Sequence, residues 1–394
     1  MPTPPTTGTT RRSFLQTTAA GVAAAAVSRA AFAQAQDNAT TAGAQSGKKV
    51  RFAVMGLGQL GLGQIIPAFK DAKLAQLTAL VSGHPDKAKA TADKFGVDPK
   101  NIYNYDNFDK IKDNDQVDVV YVVLPNNMHS EFVVRAANAG KHVLCEKPFE
   151  VTPEKCQTAI DACKKNNRKL QIGYRLMYEP NNLALVDAVK QKTIGDLKIV
   201  ECGAGFSIGD PRTTPSAAWR LTKAMAGGGC LMDIGIYSLS AARYITGEEP
   251  TEVTAFTYAN RSDIRFKEVE EHCNFQLRFP SGVLASCDSS YSCGLNRFRA
   301  IGTRGWAEVE PALSYNGVKF HKSGRGGQPE SPDLGDPNQF ATEMDALAQC
   351  IIDNKDPKAS GEHGRKHQGK RDGERASAFE ADGCRFEPSR RCLL

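Results

Sequence analysis

The chain has 394 residues and a formal net charge of +6, with 41% hydrophobic and 24% charged residues. That length is enough for two domains behind a leader, and the composition is ordinary for a soluble globular protein. The charge is modest and shared with a basic leader and tail, so no nucleic-acid partner is expected. Residues 1–33 read as a twin-arginine signal peptide: Arg11 and Arg12, an alanine-rich stretch from Thr17 to Val27, and the cleavage pattern Ala31-Phe32-Ala33. The stretch is too short and too weakly apolar to span a membrane, so no membrane partner is expected either. A disordered Ala/Thr-rich terminus is the plainer alternative. Residues 34–48 are small and polar, either a flexible linker or an arm that docks on a neighbouring subunit.

From Lys49 short apolar runs alternate with helical stretches. Strands are expected at Val50–Met55, Ala75–Val81, Val117–Leu124, His142–Cys145 and Lys169–Gly173, with helices at Gly61–Lys70, Pro85–Phe95, Ser130–Ala139 and Pro153–Asn166. Residues 117–124 (VDVVYVVL) have the continuous β-branched character of a strand buried on both faces. This alternation over 49–173 means a doubly wound parallel sheet of Rossmann type. Over 174–359, after a helix near Asn182–Lys190, the strands come in succession: Ile199–Phe206, Glu252–Tyr258, Cys273–Phe279, Gly282–Ser289, Phe298–Gly302 and Trp306–Val309. That pattern predicts a second, α+β domain with a mostly antiparallel sheet. Phe340–Asn354 reads as an amphipathic helix, and residues 360–394 as a charged, glycine-rich, disordered tail. The eleven cysteines and seven histidines lack metal-ligand spacing, so no metal and no disulfide is expected.

Five clusters carry chemistry. Gly56-Leu57-Gly58-Gln59-Leu60-Gly61 follows the first strand: Gly56 for the tight turn, Gly58 for close approach of a pyrophosphate, Gly61 for helix–strand packing. A purely structural turn is the alternative. The second strand ends in Ser82, with Lys87 a turn later; a hydroxyl and a cation suit a ribose 2′-phosphate and favour NADP, although Asp86 is a competing carboxylate. Pro125 and Asn126 end the third long strand, where ligands gather in open parallel sheets, and His129 beyond them is a site residue or a surface histidine. Glu146-Lys147-Pro148 follows the next strand: Lys147 is placed to polarise a substrate hydroxyl or favour a neighbouring anion, and Glu146 to orient it. Gly227-Gly228-Gly229-Cys230-Leu231-Met232-Asp233-Ile234-Gly235-Ile236-Tyr237 puts Asp233 and Tyr237 four apart, on one face of a helix. Tyr237 is the candidate acid/base, with a hydrogen-bonded structural tyrosine as the alternative.

With residues 146–148 and 227–237 together, the chain resembles the Gfo/Idh/MocA oxidoreductase family, and within it the periplasmic glucose–fructose oxidoreductases. Residues 79–89, 100–110, 172–175 and 233–250 carry the resemblance further. It implies a tightly held NADP, an aldose oxidised at C1 to a lactone, and a ketose such as fructose reduced to a polyol by ping-pong hydride transfer. It implies Tyr237 as acid/base assisted by Lys147 and Asp233, Ser82 and Lys87 on the 2′-phosphate, and Arg175, Trp219, Arg220 and Tyr315 on the cofactor. It also implies a homo-oligomer, dimer or tetramer, built through the second sheet. A folded export route suits a trapped cofactor, because no pool of nicotinamide awaits outside. The chain departs from the family after Gly361-Glu362-His363-Gly364, where the helical pattern vanishes, as a reading-frame change or a replaced terminus would produce. Two other readings stay open: an NADP-dependent aldose dehydrogenase with exchangeable cofactor, and a non-catalytic sugar- or nucleotide-sensing protein on the same fold. The joint presence of Lys147, Asp233 and Tyr237 argues against the second.

Overall fold

The computed structural model describes residues 49–367 together with 392 and 393. The signal peptide expected over 1–33, the linker or arm expected over 34–48 and the rest of the tail lie outside the described residues. Six parallel strands form the first sheet: β1 (Val50–Met55), β2 (Ala75–Val81), β3 (Ile102–Tyr103), β4 (Val119–Val122), β5 (His142–Cys145) and β6 (Leu170–Ile172). Their order, β3-β2-β1-β4-β5-β6, is the Rossmann order, with its switch point between β1 and β4. Successive side chains of β1 feed opposite cores. Phe52 and Val54 join one apolar cluster, Ala53 and Met55 another. Helices α1 (Pro85–Phe95), α2 (His129–Asn138) and α3 (Pro153–Lys165) complete the crossovers.

Helix α4 (Pro180–Lys190) leads into the second sheet. Its strands are β7 (Leu197–Gly205), β8 (Glu252–Tyr258), β9 (His272–Arg278), β10 (Leu284–Ser290), β11 (Leu295–Gly302), β12 (Gly305–Val309), β13 (Phe320–Gly324) and β14 (Cys392–Leu393). The order is β13-β12-β11-β7-β10-β9-β8-β14, antiparallel throughout except for β7 beside β10. The sheet packs one face on α4 and on a helix between β7 and β8, burying Val200, Cys202, Phe275 and Leu277 against Leu185, Leu239 and Ile245. Between β7 and β8 the chain forms α5 (Pro215–Arg220), α6 (Lys223–Ala226) and that packing helix, α7 (Ile236–Thr246); α8 (Gln339–Ile352) and α9 (Gly361–Lys366) follow β13.

Three expectations need correction. The helix expected over 61–70 is a π turn at Gly61–Ile65 followed by one α-turn at Ile66–Ala68. Helix α8 serves the first domain: Phe340, Met344, Leu347 and Ala348 sit in one cluster with Phe52, Val54 and Tyr121. The Asp345 carboxylate accepts from the backbone N–H of Lys73, Leu74 and Ala75 at the start of β2 (2.7, 2.8 and 3.1 Å). A 3.6-residue apolar period announces a helix but not which sheet it covers. Finally, the tail is not featureless from Ser360. The Ser360 hydroxyl accepts from His363 N (3.3 Å) and starts α9. Gly361 and Gly364 present a face so flat that a Cβ at either would stand 2.8 Å from Leu170 or Ile172. A helix that packs through glycines leaves no hydrophobic period to read.

Candidate active site between the two sheets

The glycine turn divides its labour. Gly56 has φ 101°, and a Cβ there would lie 2.0 Å from Val123 O. A Cβ on Gly61 would lie 2.4 Å from Gly56 O, so both positions serve backbone packing. A Cβ on Gly58 would meet nothing within 4 Å. The open side of the turn is thus the backbone in front of the helical N-terminus, where a pyrophosphate is favoured, and these residues fit a dinucleotide. Helix α5 of the second domain reaches over the turn, where the Ser216 hydroxyl donates to Gln59 Oε1 (3.3 Å).

At the tip of β2, Ser82 is buried, and its Oγ accepts from His84 N (3.1 Å), shaping the entry to α1. Lys87 and Asp86 are both exposed on the first turn of α1, and no carboxylate stands at the strand tip itself. Past β4, Pro125 is half-buried and Asn126 is buried, donating its amide to Ala226 O of α6 (2.8 Å). Asn126 therefore ties the two domains together. His129 is fully buried, with Nε2 2.9 Å from Leu124 O and Nδ1 2.9 Å from Pro148 O. It fastens the segment after β5 to the end of β4 and offers no face to the cleft, which corrects both sequence readings of it.

In the second domain the last glycine of the run, Gly229, makes room for Glu270. This half-buried carboxylate accepts from Gly229 N (2.8 Å) and Leu231 N (2.9 Å), and a Cβ on Gly229 would stand 2.2 Å from Glu270 O. Nothing in the sequence singles out Glu270. The helix it caps opens as a π turn, Leu231–Gly235, before α7 begins. Asp233 therefore lies in the π turn and Tyr237 in the first turn of α7, so the four-residue spacing spans a π-to-α junction and not one regular α-helix. Asp233 turns its Oδ2 to Arg220 Nε and to the hydroxyl of the buried Tyr291 (3.0 Å each), and Tyr237 lies at the start of α7.

Lys147 of the first domain touches both. Its Nζ donates to Asp233 O (2.6 Å), lies 3.5 Å from Asp233 Oδ1 and stands 4.7 Å from the centre of the Tyr237 ring. Arg175 packs its guanidinium over Tyr237 (5.6 Å) and Tyr315 (4.7 Å) and donates to Leu313 O (2.6 Å) and Gln339 Oε1. It thus joins the site to α8. Arg220 lies over the ring of Trp219 (4.3 Å). Tyr315 is exposed with its ring against Phe340. Glu146, directly before Lys147, points away from the cleft: it accepts from the Tyr121 hydroxyl at 2.8 Å and from Lys147 N at 3.2 Å.

Electrostatics separate the two titrating groups. Burial works to raise the Asp233 carboxyl, but Arg220, Lys147 and the Tyr291 hydroxyl hold it below the usual carboxylate range. Tyr237 moves the other way. Burial pushes its phenol up, and Arg175 pulls against burial while Glu146, Glu343 and Asp233 add to it. Lys147 was expected to bring the phenol down; its ammonium stands over the ring face and is engaged by Asp233, and burial prevails.

A glycine turn open at Gly58, with a lysine, an aspartate and a tyrosine converging from the two sheets, defines a two-domain dinucleotide-binding oxidoreductase. Residues 50–174 match the oxidoreductase family with an NAD-binding Rossmann fold, and residues 183–308 the GFO/IDH/MocA C-terminal domain. The chain is 32% identical over 318 residues to D-xylose 1-dehydrogenase (NADP(+)) of Haloarcula marismortui, covering 80% of this chain and 87% of that protein. The fold superposes on the crystal structure of an aldose–aldose oxidoreductase from Caulobacter crescentus complexed with glycerol, with TM-score 0.78 and 45% identity over 82% of this chain and 95% of that one. A 3-ketoreductase from Actinomadura kijaniata, in complex with TDP-benzene and NADP, gives TM-score 0.70 and 25% identity over the same shares. The chain belongs to the Gfo/Idh/MocA oxidoreductase family.

Proposed function

We propose that the protein is an NADP-containing sugar oxidoreductase that oxidises an aldose at C1 to the lactone and reduces a second sugar, a ketose such as fructose, in a ping-pong cycle. The observation that carries this reading is the convergence of Lys147 from the first domain with Asp233 and Tyr237 from the second. The NADP-using relatives and the aldose–aldose neighbour support it. When bound, the nicotinamide would supply the hydride acceptor for the first sugar and the hydride donor for the second. The protein's task is the proton. Tyr237 takes the C1 hydroxyl proton as the aldose is oxidised and gives it to the alkoxide oxygen as the second sugar is reduced. Lys147 holds the tyrosine ring and presents an ammonium to the developing charge. Asp233, kept ionised by Arg220, keeps Lys147 in place. The turn shaped by Gly56 and Gly61 would hold the pyrophosphate at its open side by Gly58, Ser82 and Lys87 would hold the 2′-phosphate, and Pro125, Arg175, Trp219, Arg220 and Tyr315 would form the walls.

The xylose dehydrogenase relative favours a second reading, one-way oxidation with exchangeable NADP. Mass spectrometry of small molecules released on denaturation separates the two. NADP at about one per chain after exhaustive dialysis supports a retained cofactor; its loss on dialysis, with turnover restored by added NADP, establishes the exchangeable one. The signal over residues 1–33 makes the periplasm the proposed location, and fractionation of expressing cells checks it.

A further inference from the structure

Behind Lys147 lies a buried cluster that the proton chemistry does not use. The Tyr121 hydroxyl on β4 stands between two carboxylates, 2.8 Å from Glu146 Oε1 and 3.4 Å from Glu343 Oε2 on α8. Tyr121 and Glu343 are fully buried and Glu146 is 6% exposed. A phenol has one proton and can donate to one acceptor only. With both carboxylates ionised, one of these oxygen–oxygen contacts would hold no proton, and Glu343 Oε1 has no hydrogen-bond partner at all. A proton on Glu343 Oε2 repairs the arrangement: Glu343 donates to Tyr121, and Tyr121 donates to Glu146. Glu146 then keeps its charge with two donors, Tyr121 and Lys147 N (3.2 Å).

We propose that Glu146 and Glu343 share a single proton through Tyr121, Glu343 neutral and Glu146 anionic, as a positioning device that fixes the backbone of Lys147 and limits the negative charge facing Tyr237. The groups around the pair agree. Burial and the charge of Glu146 drive the Glu343 carboxyl well above the usual carboxylate range, against Arg175 and Tyr121. Burial also raises Glu146, and there Tyr121, Lys147 and His129 oppose it. Arg175 lies over the Tyr237 ring, and three carboxylates, Glu146, Glu343 and Asp233, act on its phenol through space, each when ionised making phenolate harder to form. One retained proton removes one of those three charges. The role assigned to the pair rests on Tyr237 as the acid/base; its protonation state does not.

Two readouts on the intact protein test this. Infrared spectroscopy at neutral pH should show the carbonyl stretch of a buried protonated carboxyl. The band should vanish in Glu343→Gln and shift in Tyr121→Phe, which removes its acceptor. This result does not depend on turnover, so it stands or falls apart from the proposed reaction. The pH dependence of the bound nicotinamide's reduction by aldose is the second readout. Glu146→Gln removes a real charge and should move the tyrosine limb to lower pH; Glu343→Gln replaces a neutral group and should leave that limb where it is. Equal shifts in the two variants, or a wild-type protein without the band, overturn the proposal. If Glu343→Gln does not fold, the wild-type band and its shift in Tyr121→Phe decide the matter.

Discussion

Tyr237→Phe removes one hydroxyl from a buried ring that stays packed under Lys147 and Arg175. Folding and NADP content should hold, while both half-reactions fall together by on the order of 10²-fold. Single-turnover absorbance of the bound nicotinamide, first with aldose and then with ketose, checks this. A variant that slowed only one direction would require a different proton carrier for the other. The 2′-phosphate is a separate test at the same scale. Ser82→Asp and Lys87→Ala should each weaken NADP retention relative to NAD by roughly tenfold, since the first adds a carboxylate and the second removes a charge-assisted contact. Unchanged preference in both would move the phosphate site elsewhere. The glycines give a third, because their neighbours differ. Gly61→Ala drives a Cβ toward Gly56 O and should cost about 1–3 kcal/mol of stability, whereas Gly58→Ala enters open space and should lower cofactor content with little change in melting temperature. Thermal melts of both variants, with the released nucleotide measured, tell these apart.

At the scale of elements, α9 is the pH-sensitive piece. His363 and His367 lie ring against ring (4.9 Å) and against Tyr174, and Arg243 Nη1 stands 2.7 Å from His367 Nε2. Burial, then Arg243, lowers His363 to about 4 and His367 well below its ordinary value, although Glu249 opposes this at His363. Undocked, each histidine returns to an ordinary value of about 6.5. A base depressed in the folded form gives stability that is full above the unfolded value. That stability is lost as pH falls from about 6.5 toward about 4. Protection of Gly361–Lys366 against hydrogen exchange, taken relative to the intrinsic rate at each pH, should therefore fall between pH 8 and pH 5 by more than that of α1, which holds no histidine and buries Ala88, Thr91 and Ala92. Equal change in the two helices would refute the docking of α9 through neutral histidines. The second π turn has its own consequence: Glu270 holds Gly229 N and Leu231 N, so the N-terminus that positions Asp233 is closed by protein and leaves no anion site there.

For the whole molecule, α8 is the join. It closes the first domain's core with Met344 fully buried, supplies Gln339 to Arg175, and carries Glu343 to the back of the site. Met344→Ala should cost about 2–5 kcal/mol and appear as a loss of global stability in denaturant unfolding, although the residue lies nearly 300 positions after β1. The sequence by itself determined the strand–helix alternation, the Rossmann class, the glycine turn and the Glu146-Lys147-Pro148 and Asp233–Tyr237 signatures, because periodicity and turn chemistry act within a few residues. It also marked α8 as amphipathic. Only tertiary structure decided where α8 packs, that α9 folds on a glycine face, that His129 is a fastener, that Asn126 reaches α6, and that Lys147 grips Asp233 through its carbonyl. Tyr121, Glu270, Tyr291 and Glu343 drew no attention in the sequence for the same reason. Each takes its meaning from a partner many residues away, and a buried hydrogen bond leaves no mark on the local pattern that specifies a strand or a helix.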